Sequence, residues 1–319
     1  MRALVVDGSG NINLTEVPAP AYDGECLVRV LRAGICGTDL QILQGYAEFE
    51  GIPGHEFVGV VDAVSSPADE HWAGKRIVGE INVGCGVCGW CVEGWKEHCA
   101  ARSVVGIRGR GGAFAEFVSL PAANLHEVPS SIGDDAAVFV EPAAAACRIL
   151  DQIAIGGSDR LAVLGDGRMG LLVAQVLRTA APDVTILGHH HDKLDVARSL
   201  GLEARHADMF RDDDRGFDVV VDVTGRPQGL GRALELVRPR GTVVMKSTFH
   251  GEAPFAPWPI VVNEVTLVGS RCGPFPRALE LLVSGAVRVE PLVAAVLPLE
   301  DYPDAFAQAR HALKVIFRM

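Results

Sequence analysis

The segment Leu161-Ala-Val-Leu-Gly165-Asp-Gly167-Arg-Met-Gly170 constrains the fold more than any other part of the chain. An apolar run of strand length passes into a glycine-rich turn and then into a helical pattern over Arg168 to Thr179. The first two glycines let the backbone approach a pyrophosphate, the third lets helix and strand pack closely, and the helix N-terminus favours the anion. Alone the glycines would mark a turn. In this context they mark a dinucleotide site.

The surrounding pattern agrees with a parallel sheet covered on both faces, because apolar strands alternate with amphipathic helices. Arg160 to Leu164, Val184 to Leu187, Phe217 to Val223, Gly241 to Lys246 and Thr266 to Gly269 read as strands, and Lys193 to Leu200 as a second helix. Before about Pro142 the chain is different. Ala3 to Val6, Glu25 to Arg32, Phe57 to Val64, Arg76 to Val78 and Ala113 to Ser119 are short β-branched runs between glycine turns, mainly strand territory. After Gly273 follow a helix at Pro276 to Ser284, a strand near Val293 to Leu297, a helix at Asp304 to Ala312 and a closing strand at Lys314 to Phe317. A chain of 319 residues exceeds one ordinary core, so an α/β protein of two domains is expected.

A hydrophobic content of 49% against 22% charged residues excludes disorder. The formal charge of -11, with no basic stripe, argues against nucleic acid as a partner. No stretch approaches the roughly 18 apolar residues of a membrane span. Met1 to Val6 does not read as a secretory signal, which makes the cytoplasm the expected compartment. There the eight cysteines stay reduced, and clustered ones become candidates for metal. Cys26, Cys147 and Cys272 lie in apolar stretches and read as small core residues. Asp212 to Asp214 reads as a solvated turn.

Cys85-Gly-Val-Cys88-Gly-Trp-Cys91, followed by Cys99, spaces three thiolates so that a tight loop can present them to one tetrahedral ion, with the fourth returning from beyond. Zinc fits, and four thiolates leave no position for substrate, so this metal is structural. A zinc-ribbon interaction module would show the same loop but leave the remaining chain unexplained.

Cys36, in Ala33-Gly-Ile-Cys36-Gly-Thr38-Asp39, and the pair His55-Glu56 combine a thiolate, an imidazole and carboxylates on two turns after separate strands. A catalytic zinc needs about three protein ligands and one open position. Glu141 is a candidate third ligand: it stands in an apolar segment, where a carboxylate is costly unless a cation or hydrogen bonds compensate it. Capping of a helix N-terminus is the alternative for Glu141. At the end of the second parallel strand Gly188 is followed by His189, His190 and His191, with no acid until Asp192. An acid there would bind the ribose hydroxyls of NAD, so NADP is favoured over NAD.

With Cys36, His55-Glu56, the cysteine loop, Glu141-Pro142 and the glycine fingerprint in this order, the chain resembles the zinc-containing medium-chain alcohol dehydrogenases over essentially its whole length. It looks closest to the sorbitol, threonine and glucose dehydrogenase branches. The resemblance implies a GroES-like, mainly-β catalytic domain over 1–145, a Rossmann domain over 146–272 and a return to the catalytic domain over 273–319. It implies two zinc ions per chain, a small-molecule alcohol or carbonyl substrate such as a polyol or sugar, and a homodimer or homotetramer.

By the same resemblance Cys36 and His55 match catalytic zinc ligands, and Glu56 and Glu141 match carboxylates that bind zinc directly or through water. Asp39 matches an acid that orients the histidine, and Thr38 the hydroxyl that passes on the alcohol proton. Gly165, Gly167, Arg168, Met169, Gly170, Gly188, His189 and His190 fall at the dinucleotide. Thr224, Arg271 and Lys314 match residues lining the nicotinamide or its phosphates. Gln41 departs from the pattern, since relatives commonly carry a relay histidine there, and Gln does not titrate near neutral pH. A zinc-independent quinone or enoyl reductase and a non-catalytic, cofactor-sensing relative share the architecture and are the rival readings.

Overall fold

The computed structural model describes residues 1–209, 216–248, 252 and 255–319. Asp212 to Asp214 lie outside the described residues. The chain divides into two compact units, one of Met1–Glu141 with Val293–Met319, the other of Pro142–Leu292.

The first unit opens with the antiparallel pair β1 (Arg2–Val6) and β2 (Ile12–Glu16). Then come β3 (Cys26–Gly34), helix α1 (Gly37–Ile42), β4 (Glu56–Val64) and β5 (Arg76–Gly79). The short pair β6 (Asn82–Val83) and β7 (Ser103–Val104) brackets the cysteine loop and its one-turn helix α2 (Gly89–Val92). β8 (Phe117–Leu120), β9 (Leu125–Glu127), α3 (Asp134–Ala137) and the start of α4 (Val140–Gln152) follow. The expected strand from Ala113 is shorter than its sequence suggests. Ala113 to Glu116 instead crosses beside β1, with an isolated bridge from Ala3 to Ala115, because Phe114 is drawn into the core. There its ring meets Phe306 and Phe317 edge-on at 6.0 and 5.0 Å.

The second unit carries β10 (Leu161–Leu164), α5 (Arg168–Arg178), β11 (Val184–Gly188), α6 (His191–Ser199), β12 (Glu203–His206), β13 (Phe217–Asp222), α7 (Gly229–Leu236), β14 (Val237–Met245), α8 (Trp258–Val262), β15 (Thr266–Gly269) and α9 (Phe275–Val283). Its six strands form one parallel sheet in the order β12-β11-β10-β13-β14-β15. Every residue of β10 and β11 is buried, as a sheet covered on both faces requires. The chain then returns to the first unit with β16 (Val293–Pro298), α10 (Tyr302–Ala309) and β17 (Lys314–Arg318). β17 pairs antiparallel with β3, so the last strand completes the sheet begun by the first third of the chain.

Residues 273–292, read from sequence as part of the return, group with the second unit. The buried side chain of Gln175 on α5 explains this. Its amide donates to the Arg288 carbonyl at 3.1 Å, and its oxygen accepts from the Arg288 amide at 2.8 Å. A buried polar side chain is satisfied only if that segment stays in place.

β12, α7 and α4 were not legible as separate elements, and β2 and α1 are short. Cys26 and Cys147 are core residues as expected, and burial pushes both thiols up to about 11. Cys272 is only half buried. Of the aromatic residues, Phe114 and Phe275 are core, whereas Trp95 and Trp258 are exposed. Among the described residues no helix is long and apolar enough to cross a membrane.

The glycine turn shows why its residues cannot be exchanged. Gly165 has φ 119°, and a Cβ at Gly170 would lie 1.9 Å from the Gly165 carbonyl oxygen. Gly to Ala in a helix ordinarily gains up to about 1 kcal/mol. Here the obstacle is backbone that cannot swing aside, so Gly170→Ala is expected to lower stability by about 1–3 kcal/mol, read as an earlier midpoint in guanidinium denaturation.

Candidate active site

α1 begins where β3 ends, and Cys36 is its N-cap. The Asp39 carboxylate reaches back to accept the Cys36 amide at 2.7 Å, which fixes the turn that presents the thiol. Thr38 Oγ1 stands 3.9 Å from Cys36 Sγ. His55 and Glu56 arrive on the start of β4, which pairs with β3, and the register places Glu56 opposite Gly34. Two neighbouring strands thereby bring a thiol, an imidazole and a carboxylate together. The donor atoms of Cys36, His55 and Glu56 all lie within 4.8 Å of one another.

Asp39, His55 and Glu56 are 1%, 3% and 1% exposed. His55 Nδ1 stands 3.3 Å from Asp39 Oδ1, a charge contact in which neither atom has a well-formed hydrogen bond. Burial opposes a charge on His55, but Asp39 and then Cys36 outweigh it and hold the imidazole well above its ordinary value. With Nδ1 turned to the carboxylate, Nε2 is the ring atom left for a metal, the usual arrangement of a ligating histidine. A mixed sulfur, nitrogen and oxygen set with buried polar atoms lacking well-formed hydrogen bonds fits a zinc ion. Glu141, in the first turn of α4, is not brought into this three-donor group.

Lys314 requires a correction. Expected to face the cofactor, it is 0% exposed and its ammonium is paired with the Glu56 carboxylate. The Ile35 carbonyl lies 3.4 Å from Nζ and the Phe139 ring centroid 5.5 Å away. A group enclosed in this way has no surface for a phosphate. The physical reason is the cost of burying Glu56, which a cation on the neighbouring strand offsets. Gly34 lies under the pair and Val138: a Cβ there would stand 2.6 Å from Val138 Cγ1, 3.0 Å from the Glu56 carboxylate and 3.2 Å from Lys314 Cδ.

The four cysteines of the loop converge as the spacing suggests, with Cys85, Cys88, Cys91 and Cys99 sulfurs within 4.8 Å of one another. Gly84 is needed because a Cβ would meet Cys91 Sγ at 2.6 Å. The Val87 and Cys88 amides lower the Cys85 thiol to about 6, whereas burial pushes the neighbouring Cys91 thiol up to about 11. Four sulfurs fit one enclosed zinc.

In the second unit α5 starts at Gly167 with no side-chain cap. A Cβ at Gly167 would meet no protein atom within 4 Å, so packing does not explain this glycine, whereas a pyrophosphate drawn against the helix N-terminus would. Arg168 and Met169 open the helix. Thr224 lies beside the turn, its Cα 3.3 Å from the Cβ that Gly165 lacks, and Arg271 is exposed after β15.

Asp166 is the residue that sequence reasoning passed over. Only 5% exposed, it accepts the backbone amides of His189 and His190, each at 2.7 Å, and contacts His190 Nδ1 at 3.0 Å. Burial raises its pKa, but these donors more than compensate and hold it below the ordinary carboxylate value. Gly188 must be glycine, since a Cβ would fall 2.3 Å from Asp166 Oδ2. An acid inside a turn built for an anion was the available signal.

Comparison with known proteins places this geometry in a class, that of two-domain zinc dehydrogenases. Residues 22–130 match the alcohol dehydrogenase GroES-like domain, and residues 169–284 match the zinc-binding dehydrogenase family. The chain is 30% identical to D-arabinitol dehydrogenase 1 of Uromyces fabae, covering 99% of this chain and 96% of that protein. It is 33% identical to an L-threonine 3-dehydrogenase of Streptomyces avermitilis, covering 97% and 96%. Among solved structures, a zinc-binding dehydrogenase of Sinorhizobium meliloti 1021 bound to NADP superposes with a TM-score of 0.91 at 28% identity, covering 100% and 99%. An alcohol dehydrogenase of E. coli CFT073 complexed with NADH gives 0.92 at 25%, with the same coverage. The chain belongs to the zinc-containing medium-chain alcohol dehydrogenase family, near its polyol and threonine dehydrogenase branches.

Removing the cation that neutralises Glu56 is expected to cost about 3–5 kcal/mol, as for other broken buried pairs. Lys314→Met should show this loss in guanidinium denaturation. Lys314→Met combined with Glu56→Gln should recover most of it, and equal losses in the single and double variants would contradict the pairing.

Proposed function

We propose that this protein is a zinc-dependent oxidoreductase that transfers hydride between a small alcohol, of polyol, sugar or related class, and NADP in preference to NAD. The observation that carries the reading is the group of half-buried Cys36 with buried His55 and Glu56, beside Asp39 and Thr38, in a family of dehydrogenases. Cys36, His55 and Glu56 would hold the catalytic zinc, and Glu141, outside that three-donor group, would act as a further carboxylate toward it, directly or through water. When bound, zinc would supply Lewis acidity toward a substrate oxygen and the nicotinamide would supply the hydride acceptor or donor.

The chain's own residues do the rest. Asp39 orients His55 and fixes the Cys36 turn. Thr38, beside the thiol, hydrogen-bonds the substrate hydroxyl and receives its proton. Gln41 passes no proton itself, so the exit from Thr38 runs through water. Gly165, Gly167 and Gly170 with the α5 N-terminus hold the pyrophosphate, while Arg168, Met169, Thr224 and Arg271 line the cofactor.

The preference for NADP is supported at the end of β11. Gly188 carries no acid, His189 and His190 follow it, and the donors on Asp166 occupy the carboxylate that could otherwise serve ribose hydroxyls. Relatives named as arabinitol and threonine dehydrogenases support the substrate class. A homodimer or homotetramer is supported by β15, which ends the parallel sheet, and by exposed Trp258, Val261, Val262 and Leu267. A cytoplasmic location, where thiols stay reduced, suits both metal groups.

Metal analysis of purified protein should find two zinc ions per chain. Cys36→Ser should lose one of them and all turnover while its dinucleotide affinity stays near the parent value, and Cys88→Ser should lose the other along with thermal stability. Full turnover in Cys36→Ser, with a single zinc in the parent, would overturn the reading in favour of a zinc-independent reductase. Assay of polyols, sugars and simple alcohols should give a higher kcat/KM with NADP than with NAD.

A further inference from the structure

The histidine run after β11 does not act as one unit. His190 turns to Asp166, and His191 stacks on the His206 ring at 5.3 Å with an interplanar angle of 23°. His189 meets His206 and Asp208, which stand at and just beyond the end of the neighbouring parallel strand β12. One donor atom from each of these three residues lies within 4.8 Å of the other two.

The distances favour an ion over simple pairing. His189 Nδ1 is 3.6 Å from one Asp208 oxygen, and His206 Nδ1 is 3.6 Å from the other. Neither contact is short enough for a hydrogen bond. Ligands held at 2.0–2.2 Å around a tetrahedral zinc-type ion stand about 3.4 Å apart. The His206 ring is also turned for ligation. Its Nε2 lies 3.2 Å from the His189 carbonyl oxygen, to which it can only donate, so Nδ1 keeps its lone pair on the side of Asp208. The Asp208 amide approaches that nitrogen at 3.4 Å, a weak contact that yields readily to an ion.

We propose that His189, His206 and Asp208 form a third metal site, separate from the cysteine loop and from Cys36 and His55, for a divalent transition ion of imidazole-preferring type such as Ni2+ or Zn2+. His189 and Asp208 are exposed, so an ion can enter from solvent. With three protein ligands the remaining coordination positions belong to water, and the site exchanges its ion more readily than the four-sulfur loop. The site does not depend on the catalytic zinc, although it shares His189 with the edge proposed above for the dinucleotide.

Untagged protein carrying two zinc ions per chain and dialysed free of exchangeable metal, titrated with Ni2+ in a calorimeter, should bind one further equivalent. Loss of a ligand should weaken that binding by about tenfold or more, the scale on which even supporting residues act. His206→Ala and Asp208→Ala should both show it, while His191→Ala, which removes a stacked ring and no ligand, should titrate like the parent. Asp208→Ala keeps the test decisive if His206→Ala folds poorly, since Asp208 is an exposed side chain. No additional equivalent, or one that survives Asp208→Ala, would overturn the proposal.

Discussion

The ion pair between Glu56 and Lys314 is the constraint around which the first unit is arranged. Two charges excluded from water tolerate only small displacements, because each is stable only while the other remains. β4 carries one and β17 the other, with β3 between them and Gly34 lying under the pair. The chain's last strand is therefore tied to the strand that delivers His55. A site built from Cys36 after β3 and His55 just before β4 inherits its rigidity from that tie, as a ligand set held near metal geometry requires.

The second unit rests on a different constraint, the approach of backbone to backbone. Gly170 lies against the Gly165 backbone, so α5 closes directly on the turn, and Gly188 leaves room for the Asp166 side chain that joins the turn to β11. That closeness keeps amide groups at the α5 N-terminus open. It also brings β11 and β12 to a common carboxyl edge, where His189 meets His206.

Much of this was readable in the chain, for reasons that are local. The fingerprint from Leu161 to Gly170 announces strand, turn and helix because each residue's role depends on its neighbours in sequence. The four cysteines announce a metal loop because their spacing already brings the sulfurs together. Cys36 and His55-Glu56 were legible as ligand types, and as partners only through the ordered resemblance, since 18 positions separate Cys36 from His55-Glu56 and pairing of β3 with β4 joins them. Ala113 to Ser119 reads as one strand in sequence because the capture of Phe114 by distant Phe306 and Phe317 leaves no trace in the pattern.

By itself the sequence determined the two architectures, the parallel sheet at the fingerprint and the enclosed cysteine site, because short-range periodicity and spacing encode them. Only the tertiary structure decided what each long-range charge does. Lys314 stands in an apolar run, which suggests burial, but only β17 beside β3 and β4 shows that Glu56 receives it. Asp208 looks unremarkable in sequence, and for Asp166 the sequence offers only an acid inside the glycine turn, not its partners. Their roles come from the edge of a sheet that brings Asp166 to His189 and His190, and Asp208 to His189, and electrostatic partnership depends on that distance in space.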